Sequence, residues 1–172
     1  MEHLDDLLQQ ATAAISREYF LLPVHGADPV HRERVYCYEL YHQIRLRWPL
    51  PEHWPYRLNG EIDKGGHPYF RNDRGKPKPD LLVHVPGAVD KYAVIEVKSS
   101  RAKRKEIQKD LRTLCRFANF GYRRSIYLVY GVATVLDRIQ ESAGEVPVAI
   151  EVWLHPAAGE PARPVFTLGP HI

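Results

Sequence analysis

The chain has 172 residues, 44% hydrophobic and 26% charged, with a formal net charge of +3. That is the composition of an ordinary soluble globular protein, long enough for one hydrophobic core and short for two. No apolar run reaches the roughly 18 residues a helix needs to cross a bilayer. The opening residues carry Glu2, Asp5 and Asp6 with no basic flank before an apolar stretch. This predicts no secretory signal and a cytoplasmic, single-domain protein over 1–172. The two cysteines, Cys37 and Cys115, have no metal-ligand spacing and read as small buried hydrophobes.

In chain order, Leu4, Leu7, Leu8, Ala11, Ile15 and Tyr19 share a helical stripe and predict a helix over 3–20. Leu21–Ala27 reads as a connector. Asp28-Pro29 then offers an N-cap and a proline at the first helical position, predicting a second helix to about Arg47, before Trp48-Pro49. Tyr56–Asp63 reads as a strand, and Lys64–Pro79 as a polar loop with room for a short strand at Tyr69-Phe70. Asp80–Val85 and Lys91–Val97 are the clearest strands, joined through Pro86-Gly87. A third helix is expected from about Ser100 to Asn119, with Gly121 as its C-terminal cap. Ser125–Gly131 reads as a strand, Val132–Ile139 as a short helix and Val148–Leu154 as a strand, with an irregular tail. The expected fold class is α/β, a mixed sheet with helices on both faces.

The hairpin over 80–98 carries the chemistry. Residues two apart on a strand share a face, so Asp80, Leu82 and His84 align, as do Tyr92, Val94, Glu96 and Lys98. A turn centred near residue 88 puts Asp80 opposite Glu96. Two carboxylates held together in an apolar strand repel each other unless a cation binds between them. Their hard oxygens suit Mg²⁺ or Mn²⁺. Lys98, on the same face, can orient or deprotonate a water and stabilise charge at phosphorus. An exposed Glu-x-Lys ion pair and a strand-starting Asp after proline would be the bland explanation of each half taken alone.

Pro79-Asp80 followed by Glu96-Val97-Lys98 resembles the signature of the PD-(D/E)XK nuclease superfamily. The resemblance implies a restriction-endonuclease-like core of helix, three-stranded antiparallel meander, helix and further strand. Segments 29–47, 56–63, 80–85, 91–98, 101–119 and 125–131 follow that order, and the N-terminal helix and everything after Gly131 would be additions. It also implies a metal-dependent nuclease acting on nucleic acid, with DNA the expected substrate, in a prokaryotic defence, restriction or repair setting. In this family a further acid often comes from the helix before the meander. Glu39 is the best match, making Asp80, Glu96 and Glu39 the expected metal ligands; Glu33, among His31, Arg32 and Arg34, reads as solvated.

Residues 101–124 hold nine Lys and Arg against Glu106 and Asp110, a local basic stripe of the kind that meets phosphates. Lys103, Lys105, Gln108, Lys109 and Arg112 are the expected nucleic-acid contacts, positioning the backbone without reading sequence. Arg71, Arg74, Lys76 and Lys78 of the polar loop are further candidates. Glu61 and Asp63 could face the site or water, and His84 shares the Asp80 face. Two other classes of function fit: a nuclease-fold binding or assembly subunit that does not cut, and an interaction module whose exposed aromatics (Tyr36, Tyr41, Trp48, Trp54) mark an interface. With no visible DNA-binding motif, recognition would come from the core itself, from a partner chain or from a homodimer.

Overall fold

The structure is a computed structural model that describes residues 2–60 and 78–170, the side chain of Glu2 excepted. Its elements are α1 (Glu2–Ala13), α2 (Arg17–Phe20), β1 (Leu22–Val24), β2 (Ala27–Val30), α3 (Glu33–Leu46), β3 (Arg57–Gly60), β4 (Leu81–His84), β5 (Lys91–Ser99), α4 (Arg104–Asn119), β6 (Arg124–Tyr130), α5 (Val135–Ala143), β7 (Ile150–His155) and β8 (Arg163–Leu168). Strands β3 to β8 form one six-stranded sheet in sequence order. It is antiparallel from β3 to β5, parallel from β5 to β7, and antiparallel again at β8.

Strand alternation separates two cores. Leu81, Val83, Ala93, Ile95, Val97, Ile126, Leu128 and Tyr130 pack toward α1 and α3. Leu82, Val94, Tyr127, Val129, Ile150 and Val152 pack toward α4 and α5. The expected mixed α/β architecture, with helices on both faces of a sheet, is present. Among the described residues no helix is long and apolar enough to cross a membrane.

The N-terminal third differs from the sequence expectation. The helix predicted over 3–20 breaks after Ala13, and a short α2 follows from Arg17. Thr12 Oγ1 donates to the Leu8 carbonyl at 2.6 Å and accepts the Ala162 N–H at 2.8 Å, tying the end of α1 to the chain before β8. Pro29 does not open a helix. Gly26, at φ 72°, turns the chain back so that β1 and β2 pair, Leu22 opposite Val30. A free-standing two-stranded ribbon tolerates prolines because its outer edges need no ladder bonds.

Helix α3 therefore starts at Glu33, and no side chain caps it. Packing fixes its onset instead. His31 Nδ1 lies 3.1 Å from the Phe20 carbonyl, and Tyr36 stacks on Tyr130 with centroids 3.9 Å apart. The Tyr36 hydroxyl meets buried His155 Nδ1 at 2.7 Å. This cluster holds the first turn of α3 beside the C-terminal ends of β5 and β6.

Two other expectations change. The tail is not irregular: β8 pairs with β7, Ile150 opposite Leu168. The aromatics expected to mark an interface belong to the core: Tyr36 and Trp54 are buried, and Tyr41 and Trp48 pack against the same cluster. Of the cysteines, Cys37 is buried and Cys115 partly so, both as free thiols.

Helix α4 starts at Arg104 rather than near Ser100, and it ends where expected. Glu106 takes the Lys103 N–H at 2.7 Å, and Gly121 (φ 90°) ends the helix. The Tyr122 N–H then reaches the Phe117 carbonyl and the Gly121 N–H that of Ala118, the paired closure of a Schellman turn. Gly131, at φ 110° after β6, is more demanding: a methyl there would run into the Ser100 hydroxyl. Ser100 follows the strand that carries Glu96 and Lys98. Gly131→Ala is expected to cost about 2 kcal/mol or more, from left-handed backbone strain plus the clash. Urea unfolding of the two proteins, read by circular dichroism, measures it.

Candidate active site

The register Leu81↔Ile95, carried one residue further, sets Asp80 opposite Glu96. Asp80 lies just before β4, where the backbone ladder to β5 has ended. Its carboxylate takes over, with Oδ2 accepting the Val97 N–H at 2.7 Å. Glu96 is 6% exposed, and after burial itself the charge of Asp80 reaches it, raising its carboxyl. Strand parity thus delivers the pair as the sequence implied.

Lys98 follows Glu96 on the same face, and its ammonium is bound twice. It donates to Glu33 Oε1 at 2.8 Å and lies 3.2 Å from Asp110 Oδ2. Glu33 arrives from the first turn of α3. Asp110 arrives from α4 on the stripe of Ile107, Leu111 and Leu114, all buried. These five side chains line a cleft of about 450 Å³. Lys78, Lys109, Arg112 and Arg116 line it too, and all four are exposed. Acids form the floor and cations the rim.

The floor carries more negative charge than Lys98 can balance. Burial pushes the Asp80 carboxyl up to about 6, against the Val97 hydrogen bond that lowers it. Glu96 rises well above the usual carboxylate range, through burial and then through the charges of Asp80 and Asp110. Burial also raises Asp110, although Lys98 opposes the shift. Lys98 itself is held above the ordinary lysine value: burial works against the charged form, but the bonds to Glu33 and the charge of Asp110 outweigh it. Its ammonium therefore stays protonated at neutral pH.

A divalent cation between Asp80 and Glu96 would relieve this imbalance, and their oxygens are the hard donors that Mg²⁺ and Mn²⁺ take. The donor set fits such an ion but is smaller than expected. Among the described residues, no group of three or more His, Cys, Asp or Glu side chains is arranged to hold a metal. The three-carboxylate set with Glu39 is not formed.

Glu39 lies elsewhere on α3, where its Oε1 accepts from Gln43 Nε2 at 2.6 Å. The inward face of α3 is Tyr36, Cys37, Leu40 and Ile44, whereas Leu46 is 66% exposed. Glu33 falls three, four and seven residues before the first three of these, so the same period that buries them aims it at the site. That spacing was the signal; the neighbouring His and Arg residues obscured it. Asp110 had a comparable signal, an acid inside the apolar stripe of α4.

The basic residues divide. Lys109 and Arg112 line the cleft, joined by Arg116 and Lys78. Gln108 turns toward α5, its amide 3.4 Å from the Ser142 carbonyl. Lys103 and Lys105 are exposed at the start of α4. Arg124 leaves the stripe altogether: it is partly buried and paired with Asp5 at 2.7 Å and Glu151 at 2.6 Å. His84 bonds Asn59 at 2.9 Å and is not among the residues lining the cleft. Glu61, Asp63, the Tyr69-Phe70 segment, Arg71, Arg74 and Lys76 lie outside the described residues.

Comparison with family models, with curated proteins and with solved structures gives no match.

Proposed function

We propose that this chain is a metal-dependent nuclease with a restriction-endonuclease-like core of the PD-(D/E)XK type, hydrolysing nucleic-acid phosphodiesters, DNA first among them. One observation carries the reading: Asp80, Glu96 and Lys98 meet at the floor of a cleft whose rim is Lys78, Lys109, Arg112 and Arg116. The order α3, β3, β4, β5, α4, β6 is that of the superfamily core, which supports the same reading.

In this scheme the rim cations draw the phosphate backbone over the floor and neutralise part of its charge. Asp80 and Glu96 hold the ion. When bound, Mg²⁺ or Mn²⁺ supplies Lewis acidity toward a phosphoryl oxygen and acidifies water. Lys98, protonated and fixed by Glu33 and Asp110, places positive charge where negative charge grows on the phosphorus oxygens. Glu33 and Asp110 act through Lys98, as positioning residues.

A second reading, a nucleic-acid-binding or assembly subunit that does not cut, has one observation in its favour: both described contacts of the Lys98 ammonium are with protein carboxylates. Incubation of the purified chain with DNA and RNA in Mg²⁺ or Mn²⁺, with EDTA as control, separates the two. Cleavage that EDTA stops is expected. Binding without cleavage in either metal would leave only the second reading.

A further inference from the structure

Asp80 is a shared wall between two cavities. On one side is the cleft just described. On the other, between α3 and the ends of β3 and β4, lies a hollow of about 430 Å³, within the roughly 300–1,000 Å³ of small-ligand sites. Tyr38 and Tyr41 wall it, and Asn59, Gly60 and Leu81 form its base. The two tyrosines are three residues apart, hence neighbours on one helical face. Tyr38 is 59% exposed, a large ring that the core does not use.

The two cavities differ in charge. The cleft is lined by four Lys and Arg side chains, whereas the described lining of the hollow contains none. A phosphate belongs in the first and an uncharged planar group in the second. Gly60 keeps the second open: a side chain there would start 3.6 Å from the Tyr41 ring and from the Asp80 carbonyl, in ordinary contact, and grow into the space. Aromatic rings in such a position take bases by stacking, whatever the base.

We infer that the hollow binds the base of the nucleotide next to the scissile phosphate, and that the substrate presents this nucleotide unpaired. The location of the phosphate rests on the nuclease reading; the chemistry of the hollow does not. A base seated in the hollow against the two tyrosines has left its helical stack and its pairing partner, so single-stranded or frayed nucleic acid is the substrate class.

The test is fluorescence anisotropy on short single-stranded DNA and RNA oligonucleotides and on the fully paired duplex, with Ca²⁺ in place of Mg²⁺. Tyr38→Ala is expected to weaken binding of intact single strands roughly tenfold, the scale of one base–aromatic stack. An abasic residue scanned along the strand should cause the same loss at one position, with no further loss in Tyr38→Ala. Gly60→Leu, which fills the hollow and keeps both tyrosines, should reproduce it. If Gly60→Leu misfolds by circular dichroism, the exposed Tyr38 position and the abasic scan decide. Unchanged binding by Tyr38→Ala, or a duplex held as tightly as single strands, overturns the inference. Cleavage by the wild type, followed in parallel with Mg²⁺, keeps the two claims apart. Base-dependent binding without cleavage removes the nuclease and leaves the hollow; cleavage indifferent to Tyr38 and to the abasic scan does the reverse.

Discussion

Asp80→Asn and Lys98→Ala should each lower the rate of phosphodiester cleavage by on the order of 10³-fold, in single-turnover assays with saturating Mg²⁺. The two losses have different origins. Asn keeps the shape of Asp80 and can still accept the Val97 N–H, but it removes half of the carboxylate pair that would hold the ion. Lys98→Ala removes the one ammonium that the described residues place on the acidic floor. It also leaves the Asp110 side chain, 5% exposed, buried without its counter-ion, at a cost of about 3 kcal/mol. The activity of Lys98→Ala must therefore be read on protein shown to be folded, and Lys98→Met with Asp110→Asn serves as the neutral control. Lys98→Arg discriminates the role: retention of charge should preserve more activity than Lys98→Ala, whereas a lysine acting as base would be lost equally in both. Cleavage at wild-type rates in Asp80→Asn and Lys98→Ala would remove the site.

How much of this site the sequence disclosed depends on the kind of periodicity involved. A strand has only two faces, so once Leu81, Val83, Ile95 and Val97 are taken as core, Asp80, Glu96 and Lys98 have one place to go. A helix offers a continuous choice of phase. On α3, a turn of about one residue exchanged Glu39 for Glu33, because Tyr36 and Cys37 are less decisive markers of a buried face than leucines would be. The start of α3 was hidden for another reason. Asp28-Pro29 is a sound local helix signal, but the contacts that set the helix at Glu33 come from Phe20, Tyr130 and His155, up to 119 residues away in the case of the Tyr36–His155 bond. The final strand β8 was invisible because Arg163-Pro164 opens it without alternation; it forms by pairing with β7. Asp110 was hidden by its company: a carboxylate among so many Lys and Arg side chains reads as a surface ion pair until Lys98 is seen beneath it.

The carboxylate pair also predicts a pH-dependent stability that a metal should reverse. Asp80 titrates near its ordinary 3.8 when unfolded and at about 6 when folded. Between those values the native state binds more protons, so stability falls as pH rises through that window. Above pH 6 the contribution is fully unfavourable, about 3 kcal/mol. Glu96 and Asp110 are raised by burial and act in the same direction. His155 opposes them: burial lowers it to about 4, so its contribution improves as pH rises to the ordinary histidine value. The whole-protein curve therefore mixes signs, and a difference isolates the site. In EDTA, Asp80→Asn should match the wild type near pH 4 and exceed it by about 3 kcal/mol at pH 8, while His155 cancels between the two. Added Mg²⁺ should then raise the melting temperature of the wild type at pH 8, much less at pH 5 where protons compete, and hardly at all in Asp80→Asn. Thermal melts with and without EDTA across pH 4–8 provide the measurement. A variant no more stable than the wild type at pH 8 would mean that Asp80 and Glu96 are already balanced by their own protein, and an ion would have nothing to correct.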